Sequence, residues 1–432
     1  MAQTLKFGNK VWAAKEDSVL AYNDINNNYK PLPFDFSRAS IGTRVNKDGL
    51  IETMGQDIAR IDYTDSSDGV LLLEPASTNK LIYSEDFTQW SSLNLTVTSD
   101  YAISPSGKQD ASFIKPSSGS NEHKIQLVPS TQTDSQETFS VYAKPNGFDW
   151  LYLRTNINGS WVNGYANFNI TTGKANLLGS GFTSSSIEDA GNGWYRCSVT
   201  FSNRGNDPLQ IFSMPISQSS SVSNGDGING ALIYAAQAEL GNLSSYIPTS
   251  GSTVTRAAET CKNSGNSEVF NDSEGVLFTE LSRFNQTGVV DYLSLGIFGS
   301  TDTNAISFKF RNSLNVFYAS IESALGSPRT DLNYTFQNIS LNTKIALKYK
   351  SNDFALWVNG YKVATDNSGY VPTGLKQLKL GNFSGTEPFQ GKTRELGYYN
   401  TILTDAELET LTSYRSWVSM VNELNLNIIY NG

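Results

Sequence analysis

A single histidine, His123, stands among 432 residues, in a stretch rich in Ser and Asn at 117–122. Ser-His-Asp or Cys-His catalysis would have to use that side chain, because an imidazole takes the nucleophile's proton in both. Its surroundings read instead as a solvated surface loop. Zinc sites built from several His and Cys are excluded by the same count, since only Cys197 and Cys261 could be added. These two distant thiols read as separate residues, not as a disulfide framework. No glycine loop of the phosphate-cradling type occurs. Carboxylate-pair glycoside hydrolysis stays open, because 41 Asp and Glu supply many pairs. Glu395, before Leu396, could be the buried acid of a lyase or glycosidase cleft, but no partner base can be named for it. The expectation is a protein that is not an enzyme, with no catalytic residues.

Two other groupings suit binding. Trp150, Tyr152, Trp161 and Tyr165 crowd one short stretch. Aromatic rings of this kind can stack on the apolar face of a sugar, so the four are the candidate glycan-binding residues. Strand alternation puts Trp150 and Tyr152 on one face. The competing reading makes all four core or strand-surface residues. Trp194 and Trp357, in clear strands, read as core. Glu85, Asp86 and Glu239 lie in the opening and closing strands of the same region and could hold a structural calcium through their oxygens. Surface charge or backbone capping is the alternative. Asp302, in a polar loop, is a further candidate for the same ion. No other cofactor is expected.

These side chains need strands to position them. Aromatic residues are 12% of the chain, with 35 Gly, which favours short strands joined by many turns. Thr138-Phe139-Ser140-Val141-Tyr142-Ala143 alternates with the period of a half-buried strand. Asn158-Gly159, Asn163-Gly164 and Asn192-Gly193 mark turns around further strands. Asn359-Gly360, between Phe354-Ala355-Leu356-Trp357-Val358 and Tyr361-Lys362-Val363-Ala364, predicts a two-residue hairpin. Leu403-Thr404-Asp405-Ala406-Glu407-Leu408 predicts one short C-terminal helix opened by a capping box.

At roughly 150 residues per domain, the length allows two or three domains. The fold class expected is all-β: two tandem antiparallel β-sandwiches, jelly-roll and concanavalin-like, behind an extended N-terminal leader. The boundaries are a leader at 1–78, a first module at 79–258, a linker at 259–274, a second module at 275–418 and a tail at 419–432. The alternating tail could add a strand to a neighbour's sheet. The net charge of −9 comes with no block of Lys or Arg, which argues against nucleic acid. No run approaches the roughly 20 apolar residues of a membrane span, so membrane insertion is not expected. The first residues lack a secretory apolar core, and synthesis in a host cytoplasm is expected.

Ordered landmarks carry a resemblance. Phe36-Ser37-Arg38-Ala39-Ser40, Thr43-Arg44-Val45-Asn46, Gly49-Leu50-Ile51-Glu52, Arg60-Ile61-Asp62-Tyr63 and Leu73-Glu74-Pro75-Ala76-Ser77-Thr78-Asn79 resemble a leader segment of bacteriophage structural proteins. Asn192-Gly193-Trp194-Tyr195-Arg196-Cys197, Ala236-Gln237-Ala238-Glu239-Leu240 and Ser245-Tyr246-Ile247-Pro248-Thr249 look like the jelly roll that follows it, which is similar to carbohydrate-binding modules. Trp357-Val358-Asn359-Gly360 with the helix at 403–408 is similar to concanavalin/laminin-G-like domains. The resemblance implies a head fibre, tail fibre or decoration protein on the surface of a virion. It would be attached to other virion proteins through its leader, form a homotrimer and touch host-surface glycans. A glycan depolymerase of the tail, or an architectural capsid decoration protein with no ligand, is the alternative.

Overall fold

The computed structural model describes residues 4–8, 11–15, 17–23, 30–130, 135–161, 164–217, 219–284, 292–301, 303–311, 315–323, 329–336, 338, 340–424 and 426. The all-β expectation holds: strands dominate and all the ladders between named strands are antiparallel. Asn163, Asp302 and most of the alternating tail lie outside the described residues.

The described chain forms two compact units. One comprises Met1–Ala39, Gly55–Pro75 and Ala258–Gly432, the other Ser40–Met54 and Ala76–Ala257. Residues 1–78 contribute to both.

In the first unit, Glu274–Arg283 runs between Thr343–Lys350 and Gly391–Tyr399 in one sheet, and Leu5–Gly8 joins on the far side of Gly391–Tyr399. A second sheet is built from Tyr292–Phe298, Ala305–Arg311, Val316–Glu322, Thr330–Thr335 and Gln377–Lys379. Alternate residues face a common core, among them Leu277, Leu281, Ile297, Phe308, Phe317, Leu347 and Leu396. Each large apolar side chain fully removed from water stabilises the fold by about 1.5–3 kcal/mol. Asn359 and Gly360 both hold positive φ, at 47° and 88°. That is the turn expected to join Phe354–Val358 to Tyr361–Asp366.

The expected helix is present at Asp405–Thr412, with Thr404 and Glu407 completing the capping box. A second short helix, Trp417–Glu423, follows it and is capped reciprocally by Ser416 and Ser419. Trp417, Met420, Val421 and Leu424 recur there at i, i+3, i+4 and i+7, an apolar stripe of helical period that the one-helix expectation did not include.

The second unit is a sandwich of two six-stranded sheets. One sheet runs in the order Leu95–Ile103, Gln109–Pro116, Gly230–Leu240, Glu137–Asn146, Tyr195–Phe201, Phe182–Asp189. The other runs Ser91–Leu93, Lys124–Leu127, Leu209–Met214, Trp150–Arg154, Tyr165–Asn169, Lys174–Leu178. Ile114, Phe139, Val141, Leu151, Leu153, Phe168, Val199, Ile211 and Ile233 fill the space between them. Trp194 and Trp357 are buried, as their strand positions suggested.

His123 requires a correction. It is fully buried, and its two ring nitrogens face the carbonyl oxygens of Asn94 at 2.7 Å and Gly119 at 3.0 Å. The polar stretch before it is the strand Gly119–Glu122, paired with Val222–Gly225, and not a solvated loop. The imidazole ties that strand to the preceding chain at Asn94. Cys197 and Cys261 are free, buried thiols, and burial pushes both up in pKa, with Glu259 adding to the effect at Cys261.

Candidate functional site

Strand alternation builds the site. In Trp150–Arg154, Leu151 and Leu153 point into the sandwich core, so Trp150, Tyr152 and Arg154 share the outer face. Register places Tyr152 opposite Asn167 and Phe212, and Arg154 opposite Tyr165 and Gln210. Trp150, Tyr152 and Tyr165 therefore lie on one side of one sheet, and Trp161 joins Arg154 from a turn outside the strands, but the four do not play one part.

Tyr152 is buried. Its ring stacks on Tyr165 at 5.7 Å between centroids and 10° between planes, and meets Phe212 edge-on at 5.1 Å. Its hydroxyl donates to Ser219 O at 3.3 Å. Burial raises its pKa, with Arg154 opposing, so the phenol stays protonated and acts as a support for Tyr165. Trp150 and Tyr165 are half-buried and pack against the small apolar group of Tyr152, Phe212 and Met214. Trp161, also half-buried, lies against the Arg154 guanidinium at 4.9 Å from the ring centre. That distance is within the range of a cation–π contact.

Arg154 is the hinge of this arrangement and was not singled out from the sequence. It donates to Glu122 Oε1 at 2.9 Å, and Lys124 donates to Glu122 Oε2 at 2.8 Å. Ser221 Oγ also donates to Glu122. Partial burial alone would raise the Glu122 pKa. Hydrogen bonds from Lys124 and Ser221, the charge on Lys124 and the bond from Arg154 outweigh it, holding the carboxyl at about 2 against an ordinary 4.5. Glu122 is thus a fixed anion, and it holds the guanidinium beside Trp161. The period-two spacing of Trp150, Tyr152 and Arg154 could have revealed the arginine. Glu122 could not be found that way, because it arrives from a strand of another sheet, Gly119–Glu122. Half-exposed rings beside a fixed ion pair can stack on a ring-shaped ligand while donating and accepting hydrogen bonds at its edge.

The acids considered for calcium have separate partners. Glu85 Oε1 accepts from Tyr246 at 2.8 Å and Tyr234 at 3.3 Å. Asp86 caps the turn Phe87–Gln89 by accepting from Thr88 N at 3.1 Å. Glu239 is buried and accepts from Gln237 at 2.6 Å, Ser244 N at 2.8 Å and Ser244 Oγ at 2.6 Å, with Ser77 Oγ a further donor. Among the described residues no three His, Cys, Asp or Glu side chains form a group that could hold a metal ion.

No family model matches the chain, and no curated protein matches it. Among solved structures, the CBM40 of Ruminococcus gnavus IT-sialidase bound to α2,3-sialyllactose is 20% identical, with 35% of this chain and 94% of that one covered and a TM-score of 0.29. The leech intramolecular trans-sialidase complexed with 2,7-anhydro-Neu5Ac is 18% identical over 36% of this chain and 27% of that one, at a TM-score of 0.29. Trypanosoma rangeli sialidase in complex with sialic acid is 12% identical over 93% of this chain and 83% of that one, at 0.26. Overlaps this loose assign neither ligand nor activity to the present chain. They do correct one expectation: with sialidases among its matches, the chain is not classed as a non-enzyme.

Proposed function

We propose that this chain is a carbohydrate-binding protein whose second unit engages glycans on the outer face built around Arg154. The observation that carries this reading is Trp161 against an arginine held by Glu122, with Tyr165 opposite that arginine and Trp150 farther along the same face. Rings supply apolar stacking area, and the ion pair supplies oriented donors and acceptors, which together suit a saccharide. The ordered landmarks between residues 36 and 79, and those closing at 245–249, support placing the protein on the surface of a bacteriophage particle. There it would act as a fibre or decoration subunit, attached to other virion proteins and assembled as a trimer. Weak single sites repeated in such an assembly gain strength from linked binding.

A glycan array, followed by calorimetry on the strongest hit, tests the binding. Trp161→Ala and Arg154→Met are each expected to weaken it about tenfold or more, the size of one lost charge-assisted contact. Unchanged affinity in both variants would overturn the site. New reducing ends released from the same glycan would show turnover in addition to binding. Subunit position in an intact virion map, with the oligomer mass in solution, tests the assembly.

A further inference from the structure

The charged centre of the Arg154 face holds a surplus that its ion pairs do not cancel. Two cations, Arg154 and Lys124, share one acid, Glu122. They reach it from strands that are not neighbours, because Leu209–Met214 lies between Lys124–Leu127 and Trp150–Arg154. Ile125 and Leu153 point into the core, so Lys124 and Arg154 stand on the outer face, opposite Phe212 and Gln210. The Glu122 carboxylate spans the gap, taking Arg154 on Oε1 and Lys124 on Oε2. That carboxyl stays ionised down to about pH 2. The three side chains therefore carry one net positive charge at neutral pH, in a chain whose total is −9.

The hydrogen-bonding capacity left over at this centre is mostly of one kind. Glu122 already accepts from Arg154, Lys124 and Ser221. Arg154 places Nη1 on Glu122 and Nε on Trp161 O at 3.4 Å, and its Nη2 has no acceptor among the described residues. The Lys124 ammonium carries three N–H groups and has one protein acceptor among the described residues, Glu122 Oε2 at 2.8 Å. What remains is a set of donors on two cations. All three side chains reach solvent, with 13% of Arg154, 14% of Lys124 and 28% of Glu122 exposed. Trp161 and Tyr165 beside them are half-buried. Partial burial strengthens the charges, because less water screens them than on an open surface.

A ligand complementary to this centre brings acceptors and a single negative charge. A sugar hydroxyl supplies only the acceptor. A phosphate monoester, at about −1.5 to −2, exceeds the surplus and faces the Glu122 carboxylate. An amine or a metal ion would meet two cations. A carboxylate meets both conditions, and its two oxygens match paired N–H groups of a guanidinium. We infer that the Arg154 face selects saccharides that bear a carboxylate, the uronic-acid class, with Lys124 and Arg154 setting the preference. The sugar ring lies against Trp161 and Tyr165 while its carboxylate takes the free donors. This rests on the reading of that face as a glycan site and narrows it to one class of glycan.

The test uses the full chain and titration calorimetry with trisaccharides of galacturonate, glucuronate and mannuronate, each beside its methyl ester. The ester keeps the sugar and removes the charge. A galactose trisaccharide bearing one sulfate ester completes the set. At least one acid is expected to bind about tenfold tighter than its ester. The gap should narrow between about 10 mM and about 1 M salt, as the screening length falls from about 30 Å to about 3 Å. Lys124→Gln is expected to bring the ratio of acid to ester affinity close to one, and Lys124→Arg to restore it. Trp161→Ala should weaken acid and ester alike and keep the ratio. The inference is overturned if every acid binds no better than its ester, if the preference persists in Lys124→Gln, or if the sulfate binds tighter than every carboxylate. Equal affinities that fall together in Trp161→Ala, or silence from the acids while a neutral array glycan binds, reject it and leave the glycan reading standing. If no acid, ester or array glycan binds, the glycan reading fails and the inference fails with it.

Discussion

Glu122 and Ala235 show how much a single position decides. Glu122 is held ionised at about 2 by donors that exist only in the folded chain. A group whose folded pKa is depressed adds stability above its unfolded pKa and loses it as pH falls through the folded value. The difference in unfolding free energy between the natural sequence and Glu122→Gln should therefore be full above about pH 4.5 and shrink towards pH 2; denaturant titration across that window reads it directly. Ala235 holds φ at 52° while fully buried in Gly230–Leu240, close to where the pairing with Glu137–Asn146 shifts register. A β-branched side chain is strained there. Ala235→Val is expected to lower stability by about 1–3 kcal/mol, seen as a lower denaturation midpoint. Neither feature was legible in the sequence. The partners of Glu122 lie on other strands, and an alanine in an apolar run announces no left-handed backbone.

At the scale of elements, local chemistry served best. Asn359-Gly360 and the Thr404 capping box were read correctly, because each depends on residues within four positions of one another. Thr404→Ala should cost about 1 kcal/mol, and the loss should appear in the first unit, where Leu403 and Leu408 pack on Phe278 and Trp357. A variant of unchanged thermal midpoint would show the cap to be idle. The aromatic group was legible only in part. Alternation put Trp150 and Tyr152 together, but not that Tyr152 lies beneath Tyr165 and out of a ligand's reach. Glu395 was visible as a candidate acid. Glu280, its direct partner on the adjacent strand Glu274–Arg283, was not, because 115 positions separate them in sequence. His123 misled for a related reason: composition described its neighbours as loop-like, whereas a partner strand a hundred residues on made them a strand.

At the scale of the whole molecule, the motifs that carry the resemblance have a mechanical role in the fold. Arg38 donates to Glu259 at 2.8 Å and to the carbonyl oxygens of Ile58 and Gly55. Arg60 donates to Glu259 and contacts Glu74 at 2.8 Å. Burial would lower the Arg60 pKa, but Glu259 and then Glu74 outweigh it and keep the guanidinium charged. All four side chains are buried. Removing one member leaves uncompensated charge in the interior, so Glu259→Ala is expected to destabilise the first unit by about 3–5 kcal/mol. Hydrogen exchange should show lost protection at Arg60–Asp62 and Val70–Leu73. Protection unchanged in those strands would refute the assignment.

The pairing of Leu5–Gly8 with Gly391–Tyr399 also governs how the chain can be made. On a ribosome Leu5–Gly8 emerges long before its hydrogen-bonding neighbour has been translated. It must wait while nearly four hundred residues follow, the entire second unit among them. Closure over so long a span is slow, so newly made chains should pass through a stage in which the sandwich of Ala76–Ala257 is already ordered and the first unit is still open.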